Sequence, residues 1–156
     1  MTTVAWEPPS YCQGVLCWET CANGDYPAGA VKIGVDKDGG AIYVGRAFYE
    51  GDLLPAKVTP SHGCAFVSYG GKEINCTEYE VLVSDSIAWK PCSGGDVPRQ
   101  AIQIGYTADE EALYCGRTIH EGTIQGGKVH PSHGCLYVPY DDEELSFPEY
   151  EVLILI

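Results

Sequence analysis

The chain has few basic residues, a single methionine and no long apolar segment. Nine Lys and Arg residues stand against 22 Asp and Glu residues, which gives a formal net charge of −13. Nucleic acids and anionic membrane surfaces bind proteins through clustered cations, so this charge balance argues against both as partners. The apolar runs are also far shorter than the ~18 residues that a membrane span requires, which argues against membrane insertion.

The beginning of the sequence lacks the features of a secretory leader. Residues 1–12 contain an acidic residue and two prolines, and no basic segment precedes an apolar one. This pattern predicts synthesis in the cytoplasm without a signal peptide. An extracellular role would then require release from cells by a route that needs no signal peptide.

Helix-forming segments are scarce as well. The 19 glycines and 10 prolines leave little room for helices, whereas 45% hydrophobic residues and 11 tyrosines exclude disorder by composition. Eight cysteines are fewer than a disulfide scaffold of this length usually contains, and their spacing assigns no disulfide pattern. The composition therefore indicates a globular protein rich in strands and turns.

The chain is a tandem repeat. Residues 26–83 align without a gap on residues 97–154, and about 26 of the 58 aligned positions are identical. The similarity extends upstream, because Trp18 is matched by Trp89. We therefore predict one domain, residues 1–156, made of two repeats at about 14–83 and 85–154.

Short segments with an apolar period of two recur in both repeats and are separated by glycine-rich turns. In the first repeat the predicted strands are Val31–Val35, Ala41–Tyr49, Ala65–Tyr69 and Tyr79–Val83. Ser84–Val97 connects the repeats, and the tail Glu151–Ile156 also has the pattern of a strand. One unit of about 70 residues is small for a fold of its own. The prediction is thus an all-β protein whose two repeats of short antiparallel strands are related by a pseudo-twofold axis and share one core.

Several polar residues occupy the same position in both repeats. Either the fold or the function therefore requires these residues in each repeat. These pairs are Asp25/Asp96, Asp38/Asp109, Arg46/Arg117, Glu50/Glu121, Lys57/Lys128, His62/His133, Cys64/Cys135, Glu78/Glu149 and Glu80/Glu151.

Arg46 lies in an apolar segment, where strand alternation places it on the same face as Val44 and Phe48. A guanidinium on that face needs a partner. One interpretation is a structural ion pair with Glu50 or another acid. The other is a cleft in which Arg46 donates hydrogen bonds to a ligand and Asp25 accepts them.

A carboxylate, a fixed cation and an aromatic ring together are suited to a sugar. The carboxylate accepts hydrogen bonds from vicinal hydroxyls, the cation donates to them, and the ring covers the C–H face. This pattern predicts two equivalent sugar sites per chain. The candidate residues are Trp18, Asp25, Asp38, Arg46 and Glu50 in the first repeat, and Trp89, Asp96, Asp109, Arg117 and Glu121 in the second.

The duplicated Pro-Ser-His-Gly-Cys element supports a different hypothesis. His62 and Cys64, like His133 and Cys135, are two residues apart, which in a strand would place both side chains on one face. A cysteine-based enzyme or a zinc protein is therefore an alternative. The absence of further paired ligands, and the apolar segment that each cysteine enters, favour a buried structural cysteine.

The repeated motifs, Tyr-x-Gly-Arg, Glu-Gly, Ala-Lys-Val or Gly-Lys-Val, Pro-Ser-His-Gly-Cys and Glu-Tyr-Glu-Val-Leu, resemble the DM-nine repeat family over nearly the whole chain. The resemblance implies an all-β fold with pseudo-twofold symmetry, no enzymatic activity and no cofactor or metal. Bivalve members of this family are mannose-specific lectins of innate immunity that form homodimers.

The resemblance also implies a mannose site built around an acidic and a basic residue. Asp25 with Arg46, and Asp96 with Arg117, are the positions that fit. A protein-interaction or structural domain remains a third interpretation, in which both arginines form internal ion pairs.

Overall fold

A computed structural model describes residues 11–13 and 15–156 of the chain. Residues 1–10 and 14 lie outside the described residues. The segment from which the absence of a signal peptide is inferred, and the start of the first repeat, therefore fall largely outside them.

The described residues form fifteen β-strands. In the first repeat these are β1 (Tyr11–Gln13), β2 (Leu16–Ala22), β3 (Lys32–Val35), β4 (Ala41–Tyr49), β5 (Asp52–Thr59), β6 (Cys64–Tyr69), β7 (Lys72–Cys76) and β8 (Glu78–Val83). In the second they are β9 (Ile87–Ser93), β10 (Gln103–Tyr106), β11 (Ala112–His120), β12 (Thr123–His130), β13 (Cys135–Tyr140), β14 (Glu143–Phe147) and β15 (Glu149–Leu155). The prediction of an all-β fold is confirmed.

The four strands predicted in the first repeat are found within one residue of their expected limits, and β1, β2, β5 and β7 are further strands of this repeat. The strand predicted in the tail from Glu151 begins at Glu149. β5 follows β4 through the turn at Glu50 and Gly51, whose φ angles of 52° and 83° are both positive. Such a turn matches the twist of a hairpin. The segment predicted as a linker, Ser84–Val97, contains β9, which pairs with β15 along its whole length.

The strand order shows the pseudo-twofold symmetry directly. From one end the sheet runs β2-β8-β4-β5-β6-β7, and it continues as β14-β13-β12-β11-β15-β9. The second half repeats the first in reverse, and the halves meet where Lys72 of β7 pairs with Glu143 of β14. A pseudo-twofold axis between these two strands exchanges the repeats.

The largest apolar cluster is shared by the two repeats, as predicted. Its buried members are Trp18, Val31, Ile33, Ile42, Val44 and Leu82 from the first repeat and Ile102, Ile104, Cys115 and Leu153 from the second. Trp89 packs at its edge. Two further clusters are each formed mainly by residues of one repeat. Each repeat thus buries much of its apolar surface against the other, which is the main stabilisation expected for so small a unit.

Two short 3-10 turns, Pro60–His62 and Pro131–His133, interrupt the strands. Among the described residues there is no helix of the length and hydropathy needed to cross a bilayer.

Candidate functional site

Arg46 is held by the protein itself. Its Nε donates a hydrogen bond to Glu80 Oε1 at 2.7 Å, and its Nη1 donates to the carbonyl oxygen of Ile104 at 3.1 Å. The guanidinium carbon lies 3.8 Å from the centre of the Trp18 ring, so the cation covers the face of a buried indole. The acid that pairs with Arg46 is Glu80 of the neighbouring strand β8, and not Glu50.

Arg117 repeats this arrangement. It donates to Glu151 at 2.8 Å and to the carbonyl oxygen of Ile33 at 3.0 Å, and it lies over Trp89 at 4.3 Å. Each arginine thereby reaches a carbonyl of the other repeat. The two arginines therefore connect the repeats across the pseudo-twofold axis. This is the arrangement expected if both arginines form internal ion pairs.

We expect Arg46→Ala to lower the free energy of unfolding by about 2 kcal/mol, because Glu80 and the Ile104 carbonyl would lose their donor. Glu80 is one-third exposed, so water would replace part of the loss. Urea denaturation measures the change. Arg99→Ala, at an exposed arginine, is the control and should change stability by less than about 0.5 kcal/mol. Equal effects of the two substitutions would contradict a structural role for Arg46.

The structure does not bring Asp25 to Arg46. Asp25 lies in the turn after β2, and the hydroxyl of Tyr79 donates to its backbone oxygen at 2.8 Å. Tyr79 faces the cluster of the first repeat, whereas Arg46 faces the shared cluster. The Asp25 carboxylate forms no hydrogen bond or ion pair with any described residue. Asp96 has the same position, with Tyr150 as its donor. A role of these residues in sugar binding stays a prediction.

The duplicated His-Gly-Cys element does not form a joint site. His62 ends an exposed 3-10 turn, Gly63 has a φ of 71°, and Cys64 then enters β6 as a buried residue. Burial raises the pKa of the Cys64 and Cys135 thiols, which disfavours the nucleophilic thiolate. In the part of the chain that the structure describes, no three His, Cys, Asp or Glu side chains are placed to share a metal ion.

Two buried lysines mark a different candidate site. Lys57 and Lys128 occupy equivalent positions in β5 and β12 and are 2% and 6% exposed. Each ammonium group lies between two aromatic rings, one from each repeat. Lys57 Nζ is 5.8 Å from Phe66 and 5.4 Å from Tyr140, and Lys128 Nζ is 5.4 Å from Tyr137 and 5.7 Å from Tyr69.

Lys128 lies in an open cleft of about 620 Å³ between the repeats. We call it the Lys128 cleft. Its lining residues are Glu50, Asp52, Tyr69 and Gly70 of the first repeat and Thr107, Ala108, Asp109, Glu111, Lys128, His130, Ser132, His133, Tyr137 and Glu144 of the second. Lys128 donates to the carbonyl oxygen of Ser68 at 2.7 Å and lies 3.1 Å from Glu144 Oε2. An ammonium has three N–H groups, so beyond the hydrogen bond to Ser68 it can still donate to a ligand.

One wall of the Lys128 cleft is a pair of stacked histidines. The ring centres of His130 and His133 are 3.6 Å apart with an interplanar angle of 16°, and His133 Nδ1 lies 3.0 Å from the Tyr137 hydroxyl. Ser132 donates to both oxygens of Glu111, through its backbone N–H and its hydroxyl. Burial lowers the pKa of His130, which favours the neutral form of this ring. The wall is thus held in place by its own hydrogen bonds.

The equivalent cleft around Lys57, here the Lys57 cleft, is different. Lys37 and Asp141 stand where the open cleft has Ala108 and Gly70, and their side chains form an ion pair at 2.6 Å. Lys37 Nζ lies 5.1 Å from the Tyr140 ring, which also contacts Lys57. Lys57 in turn donates to Gln125 at 2.8 Å. The fold of the repeats is equivalent, as predicted, but the two clefts are not.

The candidate residues from the sequence are distributed over three places. Trp18, Trp89, Arg46 and Arg117 form the internal cation pairs, and Asp25 and Asp96 lie in turns. The other four flank the clefts: Glu50 and Asp109 line the Lys128 cleft, Asp38 accepts hydrogen bonds from Gly40 and Ser61, and Glu121 accepts one from Tyr140.

The sequence shows that Lys57 and Lys128 are duplicated, but the repeat pattern alone indicates no role for them. The signal that marks them is a lysine between apolar residues of a strand, Ala56-Lys57-Val58, in both repeats. A lysine is almost never fully buried without a partner, so such a position indicates a built polar site.

Comparison with known proteins agrees with the fold. The chain is an all-β tandem repeat whose clefts lie between its two copies. A model of the DM9 repeat matches residues 36–147, so the chain belongs to the DM9 repeat family.

The curated relatives of the chain include natterins of Thalassophryne nattereri. Natterin-3 is 30% identical over 134 residues, and natterin-4 is 32% identical over 135 residues. These matches cover 83% and 84% of this chain but only 34% and 32% of the natterins, so the chain spans about a third of their length.

A solved structure has the same fold. The nematode sperm cell motility protein MFP2B superposes with a TM-score of 0.64, covering 96% of this chain and 50% of its own. The sequence identity is 12%, so this likeness concerns the fold alone.

Proposed function

We propose that this protein is a non-catalytic lectin that binds mannose-type sugars in the Lys128 cleft. The observation that carries the proposal is a lysine, Lys128, that is only 6% exposed yet lines an open cleft together with two tyrosines and several carboxylates. Carboxylates accept hydrogen bonds from sugar hydroxyls, the ammonium donates to them, and a tyrosine ring covers the apolar face. Membership of the DM9 repeat family supports a sugar as the ligand.

The open Lys128 cleft and the bridged Lys57 cleft support one sugar per chain in place of the two predicted from the repeat alone. A single site of this size should bind a monosaccharide weakly, with a Kd on the order of 0.1–1 mM. We propose that the protein is a homodimer, so that two sites act together on glycans of microbial surfaces in innate immunity. Multivalent binding would then raise the affinity for a surface well above that for free mannose.

We expect Lys128→Met to abolish mannose binding in calorimetric titrations at millimolar ligand. The substitution keeps the length and apolar part of the side chain and removes the donor. Lys90→Met is the control, because Lys90 is exposed and does not line the cleft. This variant should bind mannose as the wild type does. Mannose binding by Lys128→Met with unchanged affinity would refute the proposed site.

A second measurement avoids the risk that Lys128→Met unfolds. Mannose added to the wild-type protein should shift the NMR signals of the His130 and His133 rings, because these rings form a wall of the cleft. The ring of His62, in the other repeat, should not shift. Absence of any binding signal at millimolar mannose would refute the proposed function.

A further inference from the structure

The charge of the Lys128 cleft is strongly unbalanced. Five carboxylates line it, those of Glu50, Asp52, Asp109, Glu111 and Glu144, against the single lysine. Lys128 is already compensated by Glu144, whose side chain is 8% exposed. Four carboxylates therefore remain without a lysine or arginine among the lining residues.

The four remaining carboxylates differ in how many of their oxygens already accept a hydrogen bond. Glu111 accepts from Ser132 with both oxygens, and one oxygen of Asp52 accepts from the backbone N–H of Ala108. Glu50 and Asp109 accept no hydrogen bond from any residue that the structure describes. These two carboxylates, one from each repeat, are free to receive donors from a ligand.

A second observation indicates an unused acceptor deeper in the same cleft. Glu144 Oε2 is buried and accepts no hydrogen bond, although the Lys128 ammonium lies 3.1 Å away. Among the described residues, the only cation near this oxygen is the Lys128 ammonium, so the oxygen can still accept a hydrogen bond from a donor that a ligand supplies. Burial lowers the pKa of His130, which disfavours a compensating positive charge on this ring.

We propose that the Lys128 cleft prefers sugars that carry a protonated amine, such as 2-amino-2-deoxyhexoses, over the corresponding neutral sugars. The inference rests on the proposed function and specifies the ligand class of the same site. An ammonium presents three donors and a positive charge, which match the free acceptors of Glu50 and Asp109. Glu50 and Asp109 are both exposed, so water and salt partly screen this attraction.

The test compares three sugars that share their stereochemistry: mannose, mannosamine and N-acetylmannosamine. Calorimetric titrations near neutral pH, where the amine carries substantial positive charge, should give mannosamine about tenfold tighter binding than mannose. N-acetylation keeps the nitrogen and removes the charge, so N-acetylmannosamine should not share the gain. The ratio should also fall as salt is raised, since the preference is electrostatic.

Two variants separate the cleft from the overall negative charge of the chain. In Glu50→Gln/Asp109→Asn the ratio of mannose to mannosamine dissociation constants should fall to about one, whatever the affinity for mannose itself. Glu78→Gln/Asp85→Asn removes the same charge from two exposed positions outside the cleft, and its ratio should stay near ten.

The outcomes distinguish this inference from the proposed function. Mannose binding without a preference for mannosamine would overturn the inference and leave the lectin proposal intact. A preference that survives in Glu50→Gln/Asp109→Asn would also overturn it, because the selectivity would then come from elsewhere on the surface. Absence of binding by all three sugars would refute the proposed function itself.

Discussion

Lys37→Ala combined with Asp141→Gly is expected to raise the number of mannose molecules bound per chain from one to two. The two substitutions install, in the Lys57 cleft, the residues that the open cleft has at the equivalent positions, Ala108 and Gly70. The substitutions remove the Lys37–Asp141 ion pair, whose lysine lies against the Tyr140 ring that also contacts Lys57. Calorimetry gives the stoichiometry directly.

The double substitution should leave the fold intact. The Lys37–Asp141 pair is exposed, so its loss costs little stability. Asp141 has a φ of 49°, a conformation that glycine adopts more readily than aspartate does. The control is Lys90→Ala/Asp142→Gly, which should keep one site per chain. A stoichiometry of one in the Lys37→Ala/Asp141→Gly variant would show that the ion pair does not close the second cleft.

Gly105→Ala is expected to produce the largest loss of stability, about 3 kcal/mol or more. A Cβ atom at this position would lie 1.9 Å from the carbonyl oxygen of Leu53, a residue of the other repeat. β10 pairs with β5 at this point through Tyr106 and Leu53. The backbones would have to separate, and the shared core would lose its packing.

Gly39→Ala is the matched control for that substitution. Gly39 has a φ of 84° and nothing within 4 Å of an added Cβ, so only backbone strain of about 1 kcal/mol should appear. Urea denaturation followed by tryptophan fluorescence suits the comparison, because Trp18 and Trp89 belong to the shared cluster or pack against it. A loss in Gly105→Ala no greater than that in Gly39→Ala would contradict the close contact between the repeats.

Local pattern was sufficient to predict four strands of the first repeat and the symmetry of the two repeats, but not β2, β5, β7 or β9. β4 is found at Ala41–Tyr49, as its alternating apolar residues indicate, and the Glu50-Gly51 turn follows it. Both features depend on neighbours within a few residues. The duplication then transfers each strand to the second repeat, because equivalent sequences adopt equivalent conformations.

The partner of Arg46 shows where local pattern is insufficient. Alternation correctly placed the arginine on the apolar face and required a compensating group. Glu50 was the nearest acid in sequence, but the pairing of β4 with β8 brings Glu80 directly opposite Arg46. That register depends on which strands are neighbours in the sheet, and this information is not present in the alternation of one strand.

The sequence by itself determined that this protein is an all-β tandem repeat with a shared apolar core, because strand period, turn residues and the 71-residue offset are all local or internal properties. Only the tertiary structure decided where the clefts between the repeats lie and which residues line them. The Lys128 cleft combines Tyr69 with Tyr137 and Glu50 with Asp109, pairs drawn from different repeats and brought together by the pseudo-twofold axis. The difference between the two clefts likewise depends on Lys37 and Asp141, which are far apart in the chain and meet only because the repeats pack against each other.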